Sequence, residues 1–294
     1  MKVCLVMVTY NRFDTLMKSI DTIKKQVRPV DYFVVVDNGS TDNTPARLAE
    51  GHVPVELVIQ ENNLGYAAGL ARGMEYASGK YKDIAFFWLM DDDSQPQPDA
   101  LQRLLKIKDT FPFTGILSVT GFIDTIWKGP VRFSNYRRKV TKQVEPSFPL
   151  YEVDHALIDG ALVDHAVVDN VGVPDGSFFM MCEDVEYCKR MQQAGFRIIL
   201  LDDEAMMSRL HYGGGGGFSR SNLWRGYYGA RNHLYIIKKY FSWRGLLAYV
   251  IRQTKYLLAA LMAPDRFTRF YLRASGIWHG MIGVRGKTMD PKNY

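Results

Sequence analysis

The chain has 294 residues, of which 47% are hydrophobic and 13% are aromatic. This composition is that of a globular protein and excludes a disordered one. The length allows one large core or two modest ones. The net charge of +6 is spread unevenly, because the residues after Gly217 include fourteen Lys or Arg and only two Asp. The first 217 residues are therefore acidic overall, and the remainder is strongly basic.

The cysteines and the hydropathy of the sequence indicate the cellular compartment of the protein. The three cysteines form neither an even set nor a C-x-x-C pair, which favours a reducing compartment and argues against a structural zinc site. The first strand-like run begins at once, without the apolar stretch and cleavage site of a signal peptide. The most apolar stretch, 246–263, is interrupted by Arg252 and Lys255. We therefore expect a cytoplasmic protein without a membrane-spanning helix.

In the first half of the chain, short β-branched runs alternate with helical patterns, which is typical of β-α-β units and a largely parallel sheet. The pattern predicts strands at 3–9, 32–37, 55–60 and 84–90, and helices at 14–26, at 63–77 and from residue 98. Thr44 followed by Pro45 predicts the N-cap and the first residue of a further helix. We expect an α/β fold in which helices flank a mostly parallel sheet.

The second half of the chain predicts shorter strands and longer helices. Strand-like pieces occupy 115–151, 197–202 and 205–210, and helices are expected at 164–171 and 183–194. Residues 213–217 are five consecutive glycines, which predict either a mobile lid or a plain linker. Three helices should follow at 223–240, 243–262 and 264–282. We infer a domain over 1–217 and a basic, aromatic-rich helical region over 218–294.

Three consecutive carboxylates, Asp91, Asp92 and Asp93, follow the apolar run 86–90. That run predicts a strand buried on both faces, and open α/β sheets bind ligands at the carboxyl ends of such strands. Three adjacent like charges repel one another unless a cation compensates them. Mg²⁺ and Mn²⁺ prefer carboxylate oxygen together with substrate phosphate. The triplet therefore predicts a divalent-metal site, with a solvated acidic turn as the alternative.

Four further motifs accompany this triplet in a defined order. They are Val8-Thr9-Tyr10-Asn11-Arg12, Val36-Asp37-Asn38-Gly39-Ser40-Thr41-Asp42, Asn62-Asn63-Leu64-Gly65 and Glu183-Asp184-Val185-Glu186. Any one of them alone is a weak signal. Together, in this order, they resemble the family 2 glycosyltransferases with the GT-A fold over residues 2–212. The chain is most similar to the bacterial rhamnosyl- and galactofuranosyltransferases of that family.

The resemblance implies a site for a sugar nucleotide. The residues that it implies for the donor are Thr9, Asn11, Asp37, Asn63, Gly65, Arg72, Asp91 and Asp92. In the family, the aspartate at the place of Asp37 binds the imide of uracil or thymine. Asn63 and Gly65 would mark a helix N-terminus that favours the diphosphate. The residues alone leave two alternatives, since Asp37 could stabilise the following turn and Arg72 could be a solvated surface residue.

The resemblance also implies the metal ligands, which are Asp91, Asp93 and His211. A neutral imidazole can join two carboxylates on Mn²⁺ or Mg²⁺. The alternative is that His211 is a structural hydrogen-bonding group. Neighbouring side chains alternate in an extended chain, so we expect Asp92 to point to the other side.

For the reaction, the resemblance implies that Asp184 is the general base that deprotonates the acceptor hydroxyl, with inversion in a single displacement. It places acceptor contacts at Asp159, Gly160 and Glu183. These residues also have plainer explanations. Carboxylates are favoured in the first turn of a helix, and Asp-Gly is typical of a turn.

Beyond residue 217, aromatic side chains interleave with Lys and Arg. This mixture suits the headgroup region of an anionic leaflet. A pair of core helices with a solvated basic face, or a contact between subunits of a homo-oligomer, would have the same composition. We expect no nucleic-acid surface, because no motif for one is present.

These observations predict an inverting, metal-dependent glycosyltransferase that acts at the inner face of the cytoplasmic membrane. It would transfer rhamnose, galactofuranose or a related hexose from a UDP- or dTDP-sugar to a hydroxyl of a cell-surface glycan or polyprenyl-linked acceptor. One alternative is a sugar-phosphate nucleotidyltransferase, which should carry a Gly-rich loop after the first strand. Another is a non-catalytic, membrane-associated carbohydrate-binding protein. A NAD-linked Rossmann enzyme is not favoured, because no G-x-G-x-x-G follows that strand.

Overall fold

The computed structural model describes residues 1–50, 54–119, 131–134, 137–140, 142–145, 149–203, 205–210 and 222–290. Its strands are β1 Lys2–Thr9, β2 Tyr32–Asp37, β3 Glu56–Ile59, β4 Ile84–Asp91, β5 Ser94–Pro96, β6 Gly115–Val119, β7 Val131–Ser134, β8 Arg137–Val140, β9 Lys142–Glu145, β10 Leu150–Glu152, β11 Leu162–Asp164, β12 Arg197–Leu201 and β13 Met207–Arg209. Its α-helices are α1 Phe13–Lys24, α2 Thr44–Ala49, α3 Tyr66–Lys80, α4 Ala100–Thr110, α5 His165–Val171, α6 Glu183–Gln193, α7 Leu223–Tyr240, α8 Trp243–Leu261 and α9 Arg266–Ile282.

Nine of these strands form one mixed sheet in the order β3-β2-β1-β4-β11-β6-β12-β10-β9. The four strands β3, β2, β1 and β4 are parallel, as are β6 and β12. The strands β11 and β10 run antiparallel to their neighbours. The prediction of an α/β fold with a mostly parallel sheet flanked by helices is therefore confirmed.

Alternate residues of the central strands supply two separate cores, one on each face of the sheet. Val3, Leu5 and Met7 of β1 pack with residues of α1 and α4. The intervening residues of β1 pack with residues of α3, α5 and α6. Helix α3 lies very close to the sheet, because a Cβ at Gly69 would lie 2.5 Å from the Val8 side chain. This close packing brings the start of α3 to the carboxyl ends of β1 and β2.

Most observed helices differ from the predicted ones by one to three residues at their ends, and the first residues of α2 and α3 bear on the site. Helix α2 begins at Thr44 itself, and Asn43 is its N-cap, because the Asp42 carboxylate already accepts the Thr44 N–H (2.9 Å). Helix α3 begins at Tyr66, three residues later than predicted. The residue before it, Gly65, has a φ of +94°, which no helical residue adopts.

The last helix, α9, packs on α7 through glycines. A Cβ at Gly276 would lie 2.4 Å from the Tyr227 carbonyl oxygen, and one at Gly280 would lie 2.9 Å from that of Arg231. Helix α8 joins the pair through Tyr249, whose hydroxyl donates to the Ala230 carbonyl (3.1 Å). None of the described helices is long and apolar enough to cross a membrane.

We expect Gly276→Ala to lower the free energy of unfolding by about 1–3 kcal/mol, because the added methyl group forces α9 away from the α7 backbone. The matched control is Gly229→Ala in α7, where a Cβ meets no atom within 4 Å. That variant should gain up to about 1 kcal/mol from helix propensity. Urea unfolding measures both values, and a stabilised Gly276→Ala protein would contradict this packing.

Candidate functional site

Polar side chains meet where the central parallel strands end. Thr9 lies opposite Asp37 on β2, and its neighbour Val8 lies opposite Asp91 on β4. The strand pairing therefore brings the ends of the first, second and fourth strands to one edge of the sheet. This is the edge at which open α/β sheets bind ligands.

Asp91, Asp92 and Asp93 form one acidic cluster, in which one carboxylate oxygen of each lies within 4.8 Å of the others. Asp91 ends β4, and the next two residues form the turn before β5. The expectation that Asp92 points to the other side is therefore wrong, because the alternation of side chains stops with the strand. Asp92 accepts hydrogen bonds from the Thr9 hydroxyl (2.8 Å) and the Arg12 guanidinium (3.3 Å).

Burial and repulsion disfavour the negative charge of this cluster. Burial raises the pKa of Asp91 well above its usual range, and the charges of Asp92 and Asp159 raise it further. Burial also raises the pKa of Asp92 to about 6, against the opposing effects of Arg12 and Thr9. A divalent cation would relieve the repulsion and prefers such oxygen donors. The residues present therefore fit Mn²⁺ or Mg²⁺.

Asp159 holds the turn that carries the cluster. Its Oδ1 accepts hydrogen bonds from the Asp91 backbone N–H (2.9 Å) and from the Ser94 hydroxyl (2.8 Å), at the two ends of the turn. Its Oδ2 accepts a hydrogen bond from Arg209, the last residue of β13. One buried carboxylate thus fixes the backbone of the acidic turn from both sides.

The pocket beside the cluster is centred on Asp37. This residue is fully buried, and its Oδ1 accepts the Ser40 N–H (2.9 Å). Its Oδ2 is also buried and makes no hydrogen bond with any described residue. A buried acceptor without a donor is costly, so a ligand N–H is a fitting partner for it. Asn11 orders the rim of the pocket by accepting the Thr41 N–H (2.7 Å).

Asn38 ties this pocket to the loop that precedes α3. Its side-chain oxygen accepts hydrogen bonds from the Leu64 N–H (3.2 Å) and from Gln60 (3.1 Å). Its side-chain amide donates to the Gly65 carbonyl (3.0 Å). The sequence indicates only a turn here, because these partners lie more than twenty residues away.

The start of α3 lies against the chain that leads into α6. A Cβ at Gly65 would lie 1.9 Å from the Phe179 carbonyl oxygen, and that oxygen accepts the Tyr66 N–H (3.1 Å). The Asn63 side chain accepts the Gly65 N–H (2.9 Å). Asn63 and Gly65 therefore flank a helix N-terminus, as predicted. Arg72 lies on the exposed side of the same helix.

Two adjacent carboxyl groups occupy the first turn of α6, and their surroundings differ. Burial, with the added charge of Asp184, raises the pKa of Glu183 to about 8. Burial raises the pKa of Asp184 only to about 6, because its carboxylate accepts hydrogen bonds from backbone N–H groups, including that of Val185 (2.7 Å). At neutral pH, Asp184 is therefore mostly ionised and Glu183 is mostly protonated.

Tyr66 and Arg225 are influenced by the charges of both this acidic pair and the acidic cluster. The Tyr66 hydroxyl is buried, and burial together with the charges of Asp159, Asp91 and Glu183 raises its pKa well above the usual range. Burial lowers the pKa of Arg225, while the charges of Asp91 and Glu183 raise it. Neither the Tyr66 hydroxyl nor Arg225 Nε makes a hydrogen bond with a described residue. Both polar atoms are thus available to a ligand.

The segment before α6 has a strained backbone. Phe179, Met181 and Cys182 have φ values of 62°, 71° and 71°. This left-handed region is disfavoured for residues other than glycine, and such strain persists only where the surroundings enforce it. Cys182 is the N-cap of α6, so this strained segment determines where Glu183 and Asp184 lie.

Asn232 on α7 enforces this backbone. Its side-chain amide donates to three carbonyl oxygens, those of Phe178 (2.9 Å), Met180 (2.8 Å) and Met181 (2.9 Å). The adjacent Arg231 donates to the Phe178 carbonyl as well (3.1 Å). Helix α7 of the basic C-terminal region therefore fixes the backbone that leads into α6.

Glu186, the last residue of the Glu183-Asp184-Val185-Glu186 motif, is fully buried and makes structural contacts. Its carboxylate accepts hydrogen bonds from Arg190 (2.8 Å), Lys239 (3.1 Å) and the Tyr240 hydroxyl (2.6 Å). It therefore joins α6 to the end of α7.

Most residues predicted for the site are brought together, and their roles stay predictions. Thr9, Asp37 and the acidic triplet share one edge of the sheet. Gly160 follows Asp159 with a φ of +79°, and its N–H donates to the Leu89 carbonyl (2.7 Å). His211 and the glycine run 213–217 lie outside the described residues, as does the predicted domain boundary at 217. Sequence reasoning missed Tyr66, Arg209 and Arg225, whose partners are distant in the chain.

We expect Asn232→Ala to lower the free energy of unfolding by about 2 kcal/mol, since its two amide N–H groups, shared among three carbonyl oxygens, are worth about 1 kcal/mol each. The control is Asn170→Ala, because the Asn170 amide donates one bond on the exposed side of α5. That change should stay within about 0.5 kcal/mol. Equal losses in the two variants, measured by urea unfolding, would show that Asn232 does not enforce the strained segment.

The known proteins that are similar to this chain include two galactofuranosyltransferases. Galactofuranosyltransferase GlfT1 of Mycolicibacterium smegmatis is 30% identical over 201 residues, which are 66% of this chain and 66% of that protein. Galactofuranosyltransferase GlfT1 of Mycobacterium tuberculosis is 31% identical over 198 residues, which are 65% of this chain and 64% of that protein. The matched part thus spans just under two thirds of the length of each relative.

Solved structures share the fold at low sequence identity. The structure of GalNAc-T7 with UDP, GalNAc and Mn²⁺ has a TM-score of 0.62 and 12% identity, and covers 96% of this chain and 56% of that one. The structure of S. aureus TarS 1–349 in complex with UDP-GlcNAc has a TM-score of 0.55 and 15% identity, and covers 94% and 91%.

The family model for glycosyl transferase family 2 matches residues 4–172, which include the strand ends, the acidic triplet and Asp159. This range is more than half of the chain. It also spans the polar pocket at Asp37 and the start of α3. The chain therefore belongs to glycosyl transferase family 2.

Proposed function

We propose that this protein is an inverting, metal-dependent glycosyltransferase that moves a hexose from a nucleoside diphosphate to a hydroxyl of a glycan or lipid-linked acceptor. The observation that carries the proposal is that Tyr66 and Arg225 each lie close enough to both acidic groups to be influenced by their charge. Asp91 of the triplet and Glu183 of α6 are the two carboxyl groups whose charge acts on both of these side chains. A donor sugar held between the two groups would have its diphosphate leaving group beside one of them and the attacking hydroxyl of the acceptor beside the other.

The acidic cluster suits the diphosphate end of the donor. Bound to Asp91 and Asp93, a divalent cation would supply positive charge to the diphosphate as it leaves. The protein adds charge of its own, since Arg12 lies 3.3 Å from Asp92 and 3.9 Å from Asp93. Arg225 of α7 adds positive charge that acts on Asp91. These cations would stabilise the negative charge that develops on the diphosphate as its bond to the sugar breaks.

The base end of the donor suits Asp37. A uracil or thymine ring presents an imide N–H, which is the donor that the buried Asp37 Oδ2 lacks among the described residues. The TarS structure in complex with UDP-GlcNAc and the GalNAc-T7 structure with UDP support a uridine nucleotide for a chain of this fold. The curated relatives, named galactofuranosyltransferases, support galactofuranose as the first sugar to test.

Asp184 is the base in this proposal. It takes the proton of the acceptor hydroxyl as that oxygen forms a bond to the anomeric carbon and the bond from this carbon to the diphosphate oxygen breaks. Its pKa of about 6 leaves it ionised at neutral pH yet basic enough to accept the proton. The neighbouring Glu183 is mostly protonated, so it can donate a hydrogen bond to the acceptor without competing for the same proton.

We expect UDP-sugars to raise the melting temperature of the protein only when Mn²⁺ or Mg²⁺ is present, since the diphosphate and the acidic cluster bind the same cation. A donor at about 100 times its dissociation constant should add about 2.7 kcal/mol to the free energy of unfolding. A panel of UDP- and dTDP-sugars in differential scanning fluorimetry measures the shift and identifies the donor.

The paired variants for this test are Asp93→Ala, which should lose the metal-dependent shift, and Asp109→Ala on the exposed side of α4, which should keep it. Stabilisation by the donor without metal, or equal shifts in both variants, would contradict a metal site at the triplet. No shift with any sugar nucleotide would contradict the donor site as a whole.

We expect Asp184→Asn to lower kcat by at least about a hundredfold while leaving the donor-induced melting shift intact, because a general base contributes at least that factor. In the unchanged protein, kcat should fall as the pH drops through about 6, since protonated Asp184 cannot accept the hydroxyl proton. Stopped assays over pH 5–8 with the donor found above measure both effects.

Glu183→Gln is the companion variant, because glutamine retains an uncharged hydrogen-bonding group where Glu183 is already neutral. It should retain most of kcat and keep its acid limb at about the same pH, because Glu183 carries no charge at the pH at which Asp184 titrates. If Glu183→Gln were the inactive variant and Asp184→Asn the active one, Glu183 would be the base.

A further inference from the structure

The hydrophobic pattern of α8 and α9 is inverted relative to an ordinary surface helix. Among the described residues, fourteen of the twenty exposed large hydrophobic side chains lie in 243–282. Apart from Tyr249 and Leu272, the buried positions of the two helices are small or polar, as at Gly276 and Gly280 on α9 and at Gln253 on α8. Large apolar side chains therefore point outward where a helix in water normally carries polar ones.

The exposed apolar residues form one stripe on each helix. Leu247, Ile251 and Leu258 on α8 are spaced by four and seven residues, and Phe267, Tyr271 and Trp278 on α9 repeat that spacing. These intervals keep the three side chains of a helix on one side of its axis. We call these two stripes the apolar face. Monomeric proteins rarely leave a face of this size bare.

The two helices pack against each other, so their two apolar stripes belong to one helical unit. Arg273 of α9 donates to the Gln253 side chain of α8 (2.9 Å), and its guanidinium stacks 4.3 Å from the centre of the Tyr256 ring. Helix α9 is in turn packed on α7 through its glycines. The apolar face is therefore attached rigidly to the helix that supports the candidate base.

The charges around the apolar face select its partner. Helices α8 and α9 contain six Arg or Lys and no Asp or Glu. Arg244, Lys255 and Arg266 are exposed among the apolar residues. A second copy of the chain that docked through the same face would bring cations against cations, which opposes association. An anionic lipid leaflet offers both an apolar interior and negative headgroups, and Trp and Tyr suit its boundary.

We propose that α8 and α9 form an interfacial docking surface for an anionic lipid bilayer, into which the apolar face inserts without spanning it. The outward Trp and Tyr rings lie at the level of the headgroups, and the exposed cations pair with anionic lipids. This inference concerns binding alone and requires neither donor, metal nor turnover. Its failure is therefore distinguishable from a failure of the proposed enzymatic activity.

The test is co-sedimentation of the full chain with two kinds of vesicle, one of phosphatidylcholine and one in which about a third of the lipid is phosphatidylglycerol. We expect binding to the anionic vesicles at low salt, and much weaker binding to the neutral ones. Each cation near the surface contributes about fivefold, so Arg244→Gln/Lys255→Gln should lower the partition coefficient about 25-fold. Leu247→Ser/Trp278→Ser should lower it by more than about tenfold.

Matched controls change the same chemistry elsewhere on the surface. Lys18→Gln/Lys106→Gln removes two exposed lysines from α1 and α4, and Val27→Ser/Ile59→Ser removes two exposed apolar side chains outside the apolar face. Both controls should bind as the unchanged protein does. Unaltered melting temperatures identify the variants in which only the surface has changed.

Three results would overturn the proposal. The first is no binding of the unchanged protein to anionic vesicles at low salt. The second is equal loss in the controls and in the variants of the apolar face. The third is a stable dimer, seen by light scattering, that Leu247→Ser/Trp278→Ser dissociates, because the apolar face would then be an interface between copies of this chain.

Discussion

The crowding of carboxylates at the end of β4 is the constraint on which the candidate site depends. Parallel pairing of β1, β2 and β4 brings buried strands to one edge, and Asp91, Asp92 and Asp93 must share that place. The chain offsets part of the repulsion with cations and with hydrogen bonds to the turn. The repulsion that is left favours the binding of a cation, and a bound cation in turn attracts the diphosphate of a sugar nucleotide.

The basic end of the chain is part of this arrangement. Arg225 brings positive charge from α7 towards both acidic groups. Asn232 of α7 holds the strained segment that positions α6. Glu186 of α6 accepts a hydrogen bond from Lys239 of α7, which joins the same two helices a second time. The opposite net charges of the two parts of the chain thus have a local counterpart at the site, where cations from the last helices meet carboxylates from the sheet.

Hydrophobic periodicity predicts the secondary structure well, and β2 and α7 have the predicted bounds. The triplet and the acidic helix are also evident from sequence, because each lies within one short segment. The expectation for Asp92 is wrong because it extends strand geometry into a turn. The bonds from Asp159 to Asp91 and Ser94 join residues more than sixty positions apart, so they depend on the order of strands in the sheet.

The contact between Gly65 and Phe179 has a kinetic consequence. The start of α3, on the proposed donor side, and the strained segment, on the proposed acceptor side, touch through backbone atoms, with no side chain between them to absorb movement. A displacement of one must therefore displace the other. The two substrates would then bind in a preferred order, with the nucleotide first, because its diphosphate fixes the loop against which the acceptor side is built.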